Sequence, residues 1–503
     1  MTSSTPTDIA LKLLQHHLSH TSISKDESGV PRACPNSPTQ PSLTLSTNTT
    51  QTPREPLNFA SFVSLFPSTD TSSCAPIFRL GSALFDPVDL RLEHSRYTSI
   101  TPDVRNRVNL LRRKAALSKW LEDVVKPAVD GDLRIEASGA NGIHSLHIII
   151  CFLTLIHTVK YTAADAAFSH LTGHEIDEAC RKASVGGYFK LATLISQAGG
   201  DELFKHDIRS QLDIWKSEKL APGSNNNLTG TQSGLVGRGV WRIYNLLAGL
   251  VDQDEEKARP EDDICSGLDW KRVFGLYLWY GTNVDASIAD VIKAYERKTL
   301  RKLDATPSER SRPIPKWVIE KRKKGGFVHP PGLSRLGLFL QSSPMDDLPE
   351  DPLYALIKLH SDPALSLSKA LNPLSFSPTG VNLGVVMCWH LYIILSRVMR
   401  VRDFADRTQP PRQTTHTRRR SGLVNGIGGA HRRRDSNNDY TTDHLEEDNG
   451  VRPEGHSPTA DLLTSAYSFE LESWGMLQEA AFVLLHLEGS VGYVVIFLIV
   501  SLC

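Results

Sequence analysis

The sequence lacks the marks of a disulfide scaffold. It has seven cysteines: Cys34, Cys74, Cys151, Cys180, Cys265, Cys388 and Cys503. They are scattered, odd in number and contain no CxxC pair. Such a set reads as reduced thiols, several of them small buried hydrophobes. Residues 1–20 hold no apolar core behind a basic start, so no signal peptide is expected there. Net charge is missing too, since 56 Lys and Arg balance 56 Asp and Glu. That removes the global basic field a nucleic-acid binder uses.

The signatures of chemistry are equally absent. There is no GxGxxG behind a strand, no GxxxxGK[ST] phosphate loop, no GxSxG elbow and no HExxH. His144/His147 and His170/His174 stand at spacings that put two imidazoles on one helix face. No cysteine or carboxylate completes a metal set by spacing, so a structural or surface role is expected for them. Aromatic residues lie on apolar faces, not interleaved with a basic stripe. The sequence therefore assigns no catalytic, cofactor-binding or metal-ligating residue, and an enzyme is not expected.

What is present is helix-forming pattern between polar flanks. Residues 1–56 are rich in Ser, Thr and Pro, a composition that predicts disorder. In 57–95 two short runs follow, around Phe59–Phe66 and Ile77–Phe85, and they read as a strand pair, with a helical turn at Leu80–Phe85 as the alternative. A lone pair of strands is marginal in water, so it needs either the chain's own helices or a partner sheet. Thr101 and Pro102 open a helix with Leu110, Leu117, Trp120, Leu121 and Val124 on one face and Pro127 at its end. Residues 145–161 are apolar almost all round and predict a buried helix rather than a membrane span.

Residues 162–215 form the centre of the pattern. Thr172 and Glu175 fit a capping box. Ile176, Ala179, Cys180 and Ala183 then share a face, and Gly186-Gly187 stops that helix. Leu191, Ala192, Leu194 and Ile195 form the next face. Short helices with small residues between them describe an α-solenoid.

Further helices are expected at 240–250, 269–280, 285–295 and 351–404, and a helical pair at 461–488. Between them lie a polar loop, 301–350, whose Lys321–Lys324 run is an import signal or a solvated loop, and a second disordered stretch, 405–460. The last fifteen residues, 489–503, are an apolar tail. It reads as a non-native end or, together with residues 480–488, as a tail anchor.

Taken in order, several segments resemble the scaffold nucleoporins of the ninety-six-kilodalton class, the C-terminal products of the Nup-ninety-eight/ninety-six precursor. They are PIFRLGSALFDP, RRKAALSKWLEDVV, AAFSHLTGHEIDEACRKA, LATLISQAGGDE, WRIYNLLAGLV, LDWKRVFGLYLWYG, DPLYALIKLH and YSFELESWGMLQEAAFVLLHL, spread over roughly residues 74–487. The resemblance implies an all-α fold, a bent α-helical solenoid with trunk, crown and tail. It also implies a short N-terminal β-strand segment donated to a partner β-propeller shared with the COPII coat. Phe62, Val63, Leu65, Phe78, Leu80, Leu84 and Phe85 would make that contact. The crown, around 162–215, would meet another helical nucleoporin of the Y-shaped complex. The implied role is a scaffold of the nuclear pore at the nuclear envelope, supporting transport of protein and mRNA, with no cofactor. The upstream FG repeats and self-cleaving domain of the precursor are not in this sequence, which suggests a separately encoded or truncated product. A vesicle-coat scaffold and a tail-anchored membrane protein are the alternatives.

Overall fold

The computed structural model describes residues 5–25, 29, 31–37, 56–67, 70, 74–89, 101–141, 162–222, 235–251, 263–301, 311–324, 349–377, 383–407 and 456–488. The expected helix at 145–161, most of the 405–460 stretch and the 489–503 tail lie outside them. Among the described residues no helix is long and apolar enough to cross a membrane.

The described residues are mostly helical, with one antiparallel strand pair. In order it runs α1 (Pro6–Ser19), β1 (Thr21–Lys25), β2 (Pro31–Pro35), α2 (Phe59–Val63), α3 (Ala75–Phe85) and α4 (Pro102–Asn141). The crown segment follows as α5 (Ala163–Leu171), α6 (Ile176–Val185), α7 (Phe189–Ile195) and α8 (Glu202–Ser217). Then come α9 (Arg238–Leu247), α10 (Trp270–Leu276), α11 (Ile288–Arg301), α12 (Lys316–Lys323), α13 (Pro352–Ser361) and α14 (Leu367–Ala370). The last are α15 (Leu383–Tyr392), α16 (Pro458–Ser473) and α17 (Leu477–Leu484). Both α10 and α15 run on into a widened π-turn, Tyr277–Gly281 and Ile393–Val398.

Side-chain caps set most of the starts. Thr5 with Asp8, Asn58 with Ser61 and Thr162 with Asp165 form reciprocal boxes at α1, α2 and α5. Asp201, Asp269, Asp351 and Ser457 cap α8, α10, α13 and α16. Each satisfies backbone N–H groups that a helix end leaves open.

Packing folds the chain back on itself. The crown helices stack in sequence, α5 on α6 and α6 on α7, with α9 returning to cover α5. α4 runs along α3, α5 and α10. At the other end the first helices meet the last: α3 lies on α13, and α1 lies on α15, which also packs against α16. One continuous apolar core joins residues from Ala10 to Val483.

The structure corrects the sequence reading in four places. The described residues of 57–95 hold helices α2 and α3, not strands. Phe62 stacks on Phe78 at 4.9 Å between ring centroids, and at Gly81 a Cβ would come within 2.2 Å of the Phe59 ring. That close approach fixes the pair as a helical hairpin. Its first turn is also held by Asp86, whose carboxylate accepts from Phe59 N–H at 3.2 Å and Ala60 N–H at 2.7 Å.

The other three concern boundaries. Residues 1–56 include α1, β1 and β2. Pro127 sits inside α4 instead of ending it. The 301–350 stretch contains α12.

Candidate interaction surfaces

The residues expected to reach a propeller face inward. Phe62, Phe78 and Leu80 are fully buried, and Leu84 nearly so. Val63, Leu65 and Phe85 are half-buried against the same core. This set is the joint between the N-terminal hairpin of helices and the rest of the chain. Short runs of Phe, Val and Leu look alike in a buried strand and a buried helix, which is why spacing misled.

The true strands lie earlier. β1 and β2 pair antiparallel, Thr21 opposite Pro35 and Ile23 opposite Ala33. Asn36 N–H donates to His20 O at 2.9 Å, continuing the ladder, whereas Ala33 N–H donates outward to Leu485 O at 3.1 Å. The Ile23–Ala33 pair is therefore the non-hydrogen-bonded kind, and Ile23 N–H points away from β2. β2 is covered on its outer edge by the end of α17. Among the described residues nothing covers the outer edge of β1, and Ile23 is 57% exposed.

The crown has a different character. The Thr172–Glu175 capping box is not formed. Thr172 closes α5 in a helical conformation, its hydroxyl donating to Ser169 O at 2.7 Å. Glu175 precedes α6 without capping it by its side chain. The functioning box is one helix earlier, at Thr162 and Asp165. The T-x-x-E spacing does not form the box here because His174 takes positive φ (61°), and that turn delays the helix to Ile176.

Glu175 instead forms pairs, 2.6 Å from Lys126 Nζ and 2.7 Å from His170 Nδ1. Burial alone would raise its pKa, but the hydrogen bonds from Lys126 and His170 outweigh this and hold it below the usual carboxylate value. His174 lies flat on the Trp279 indole at 4.9 Å, with Nδ1 2.8 Å from Glu122. Trp279 Nε1 donates to Ser118 Oγ at 2.8 Å, and Ser118 donates to Glu122 at 2.9 Å. Arg272, buried under the α5–α6 turn, reaches Asp132 at 2.7 Å. Of the two histidine pairs singled out by spacing, His144/His147 lies outside the described residues and His170/His174 is held by carboxylates. The latter pair is split between helix α5 and the following turn, each ring tied to a different carboxylate.

Beside this network lies a cavity of about 460 Å³ bounded by Lys114, Ser118, His174, Asp201, Lys205 and Trp279. Its polar groups are engaged: Lys114 Nζ donates to the carbonyls of Asn283, Val284 and Ala286, and Asp201 caps α8. Among the described residues, no group of three His, Cys, Asp or Glu is placed to hold a metal ion. The outer side of the crown exposes a few large apolar side chains among polar ones. Val185 is 80% exposed and Phe189 70% on the α6–α7 turn, and Leu203 is 71% exposed on the first turn of α8. Helix periodicity identified the buried faces here. It did not single out these residues, whose signal is large apolar side chains off the buried stripe.

Comparison with known proteins agrees with this architecture. A family model described as Nuclear protein 96 matches residues 165–492, from the start of the crown past α17. The Arabidopsis thaliana nuclear pore complex protein NUP96 is 27% identical over 289 residues, covering 57% of this chain and 22% of that protein. Nucleoporin nup189 of Schizosaccharomyces pombe is 24% identical over 485 residues, 95% of this chain and 20% of its own length. Nucleoporin NUP145 of Chaetomium thermophilum is 25% identical over 220 residues, 42% and 12%. The chain spans less than a quarter of the length of each of these relatives.

Proposed function

The chain belongs to the Nup96 (nuclear protein 96) family, and on that premise we propose that it is a structural scaffold of the nuclear pore, not an enzyme. Its place is the nuclear envelope, as for the pore proteins it resembles. The finer role is a helical member of the Y-shaped subcomplex, supporting pore assembly and the passage of protein and mRNA. The observation that carries the reading is the match over 165–492 on a chain whose helices stack and fold back as one core.

Two contacts follow. The crown meets another helical nucleoporin through Val185, Phe189 and Leu203, large apolar side chains left exposed on its surface. The β-propeller shared with the COPII coat docks at the N-terminal end by strand addition. The described residues of 57–95 are helical and turn their large apolar side chains inward, so the open edge of β1 is the supported position. The test is co-expression of the full chain with each partner, followed by size-exclusion chromatography with mass measurement. Stable one-to-one complexes are expected. Ile23→Pro, which removes an outward N–H without touching the β1–β2 ladder, should release the propeller alone. A propeller complex that survives this change moves that contact elsewhere.

A further inference from the structure

Helix α1 is docked through an unusual nest. His17 on α1, His390 on α15 and His486 just past α17 are all buried, at 0%, 0% and 5% exposure. The His17 ring centroid is 5.6 Å from that of His390 and 5.3 Å from that of His486. Trp389 packs against all three at 4.9, 5.0 and 5.1 Å. Among the described residues, both ring nitrogens of His17 and of His390, and Nε2 of His486, have no hydrogen-bond partner. Only His486 Nδ1 donates, to Phe482 O at 3.2 Å.

The surroundings offer a proton nothing. From α1 come His16, 3.0 Å from Ser61 Oγ, and His20, which stacks on His16 at 4.2 Å. On the same helix Lys12 is turned to Leu65 O, and Asp8 is spent on its own cap. α2 contributes Phe62, α16 Tyr467 and α17 Phe482. The charge nearest His486 is Arg397, a cation. Glu488 is claimed by Arg397 and Arg407, and Glu479 acts on Tyr467 rather than on the imidazoles. No described carboxylate bears on any of the three.

We propose that α1 is an acid-releasable strap, seated on α15 and α17 only while His17, His390 and His486 are all neutral. A proton on any of them puts an unpaired cation in an apolar site, which is strongly unfavourable. Release of α1 opens the nest and hydrates all three rings. Burial holds His390 at about 3 and His486 at about 4, and it pushes His17 well below its ordinary 6.5. The docked form therefore binds fewer protons than the released form between those values and 6.5. Docking is complete above about pH 6.5 and is lost progressively as pH falls toward 4.

Hydrogen exchange on the full chain from pH 7.5 to pH 5.0, corrected for intrinsic exchange, tests this. Protection of the α1 amides should fall at least tenfold while α13 keeps its own. His17→Phe keeps the ring contact with Trp389 and removes one of the three proton sites, and should make the step shallower. His390→Phe should leave α1 docked at pH 7.5 and make the step shallower. Protection of α1 that is flat with pH, that falls in parallel with α13, or that steps equally in His17→Phe overturns the proposal.

Discussion

In the crown, titratable side chains come in pairs; under α1 they come alone. Glu175 is shared by Lys126 and His170, Glu122 holds His174, and Asp132 holds Arg272. The nest under α1 gathers three imidazoles with no counter-charge. The apolar residues are arranged the other way round. At the α1 end Phe62, Phe78 and Trp389 are sealed inside, whereas the crown leaves Val185, Phe189 and Leu203 in solvent. Paired charges beside exposed apolar side chains suit the crown to the docking role proposed above, and unpaired buried imidazoles suit the seat of α1 to a part that moves.

The largest effect that sharpens this contrast is expected at Phe62. Phe62→Ala removes a fully buried ring stacked on Phe78 and should cost about 3–5 kcal/mol of stability, read by denaturant unfolding. A stable variant that only lost propeller binding would return this segment to the surface.

Next is the crown face. Phe189→Asp should weaken binding to the helical partner by about 2 kcal/mol or more if it is a central contact. Unfolding should stay within about 0.5 kcal/mol of the parent, since the residue is exposed. Isothermal titration beside a denaturant curve separates the two.

Arg272→Met breaks the buried arginine's bond to Asp132. Because Asp132 is 43% exposed and can rehydrate, the expected loss is about 1–3 kcal/mol, measured by thermal unfolding. The smallest effect belongs to Lys126→Ala. Lys126 is 57% exposed, and surface pairs contribute about 0–1 kcal/mol. A much larger loss would mean that the crown depends on that pair.

The same contrast explains what could be read from the chain beforehand. Long faces were legible: Leu117, Trp120 and Leu121 on α4, and Trp241, Ile243, Leu246 and Leu247 on α9, are buried as their spacing predicts. So was the helix over 269–280, found as α10 and its π-turn. The ordered set of crown and trunk segments pointed to the family the chain belongs to.

The N-terminal elements were not legible. α1 is a real amphipathic helix on Ala10, Leu13 and Leu14, but its signal is diluted by the Ser, Thr and Pro on either side. Phe59–Val63 is five residues long, too short for period 2 and period 3.6 to differ. Partner surfaces left almost no trace, because burial, not identity, distinguishes Phe189 from Phe62.

The measurement closest to the central claim is the mass of the complex formed by the full chain with the neighbouring helical nucleoporin, run in parallel with Phe189→Asp and Ile23→Pro. A one-to-one complex lost with Phe189→Asp and kept with Ile23→Pro is the expected result. A chain that stays monomeric beside that partner, or binds it equally well with Phe189→Asp, would contradict the crown as the scaffold's contact face.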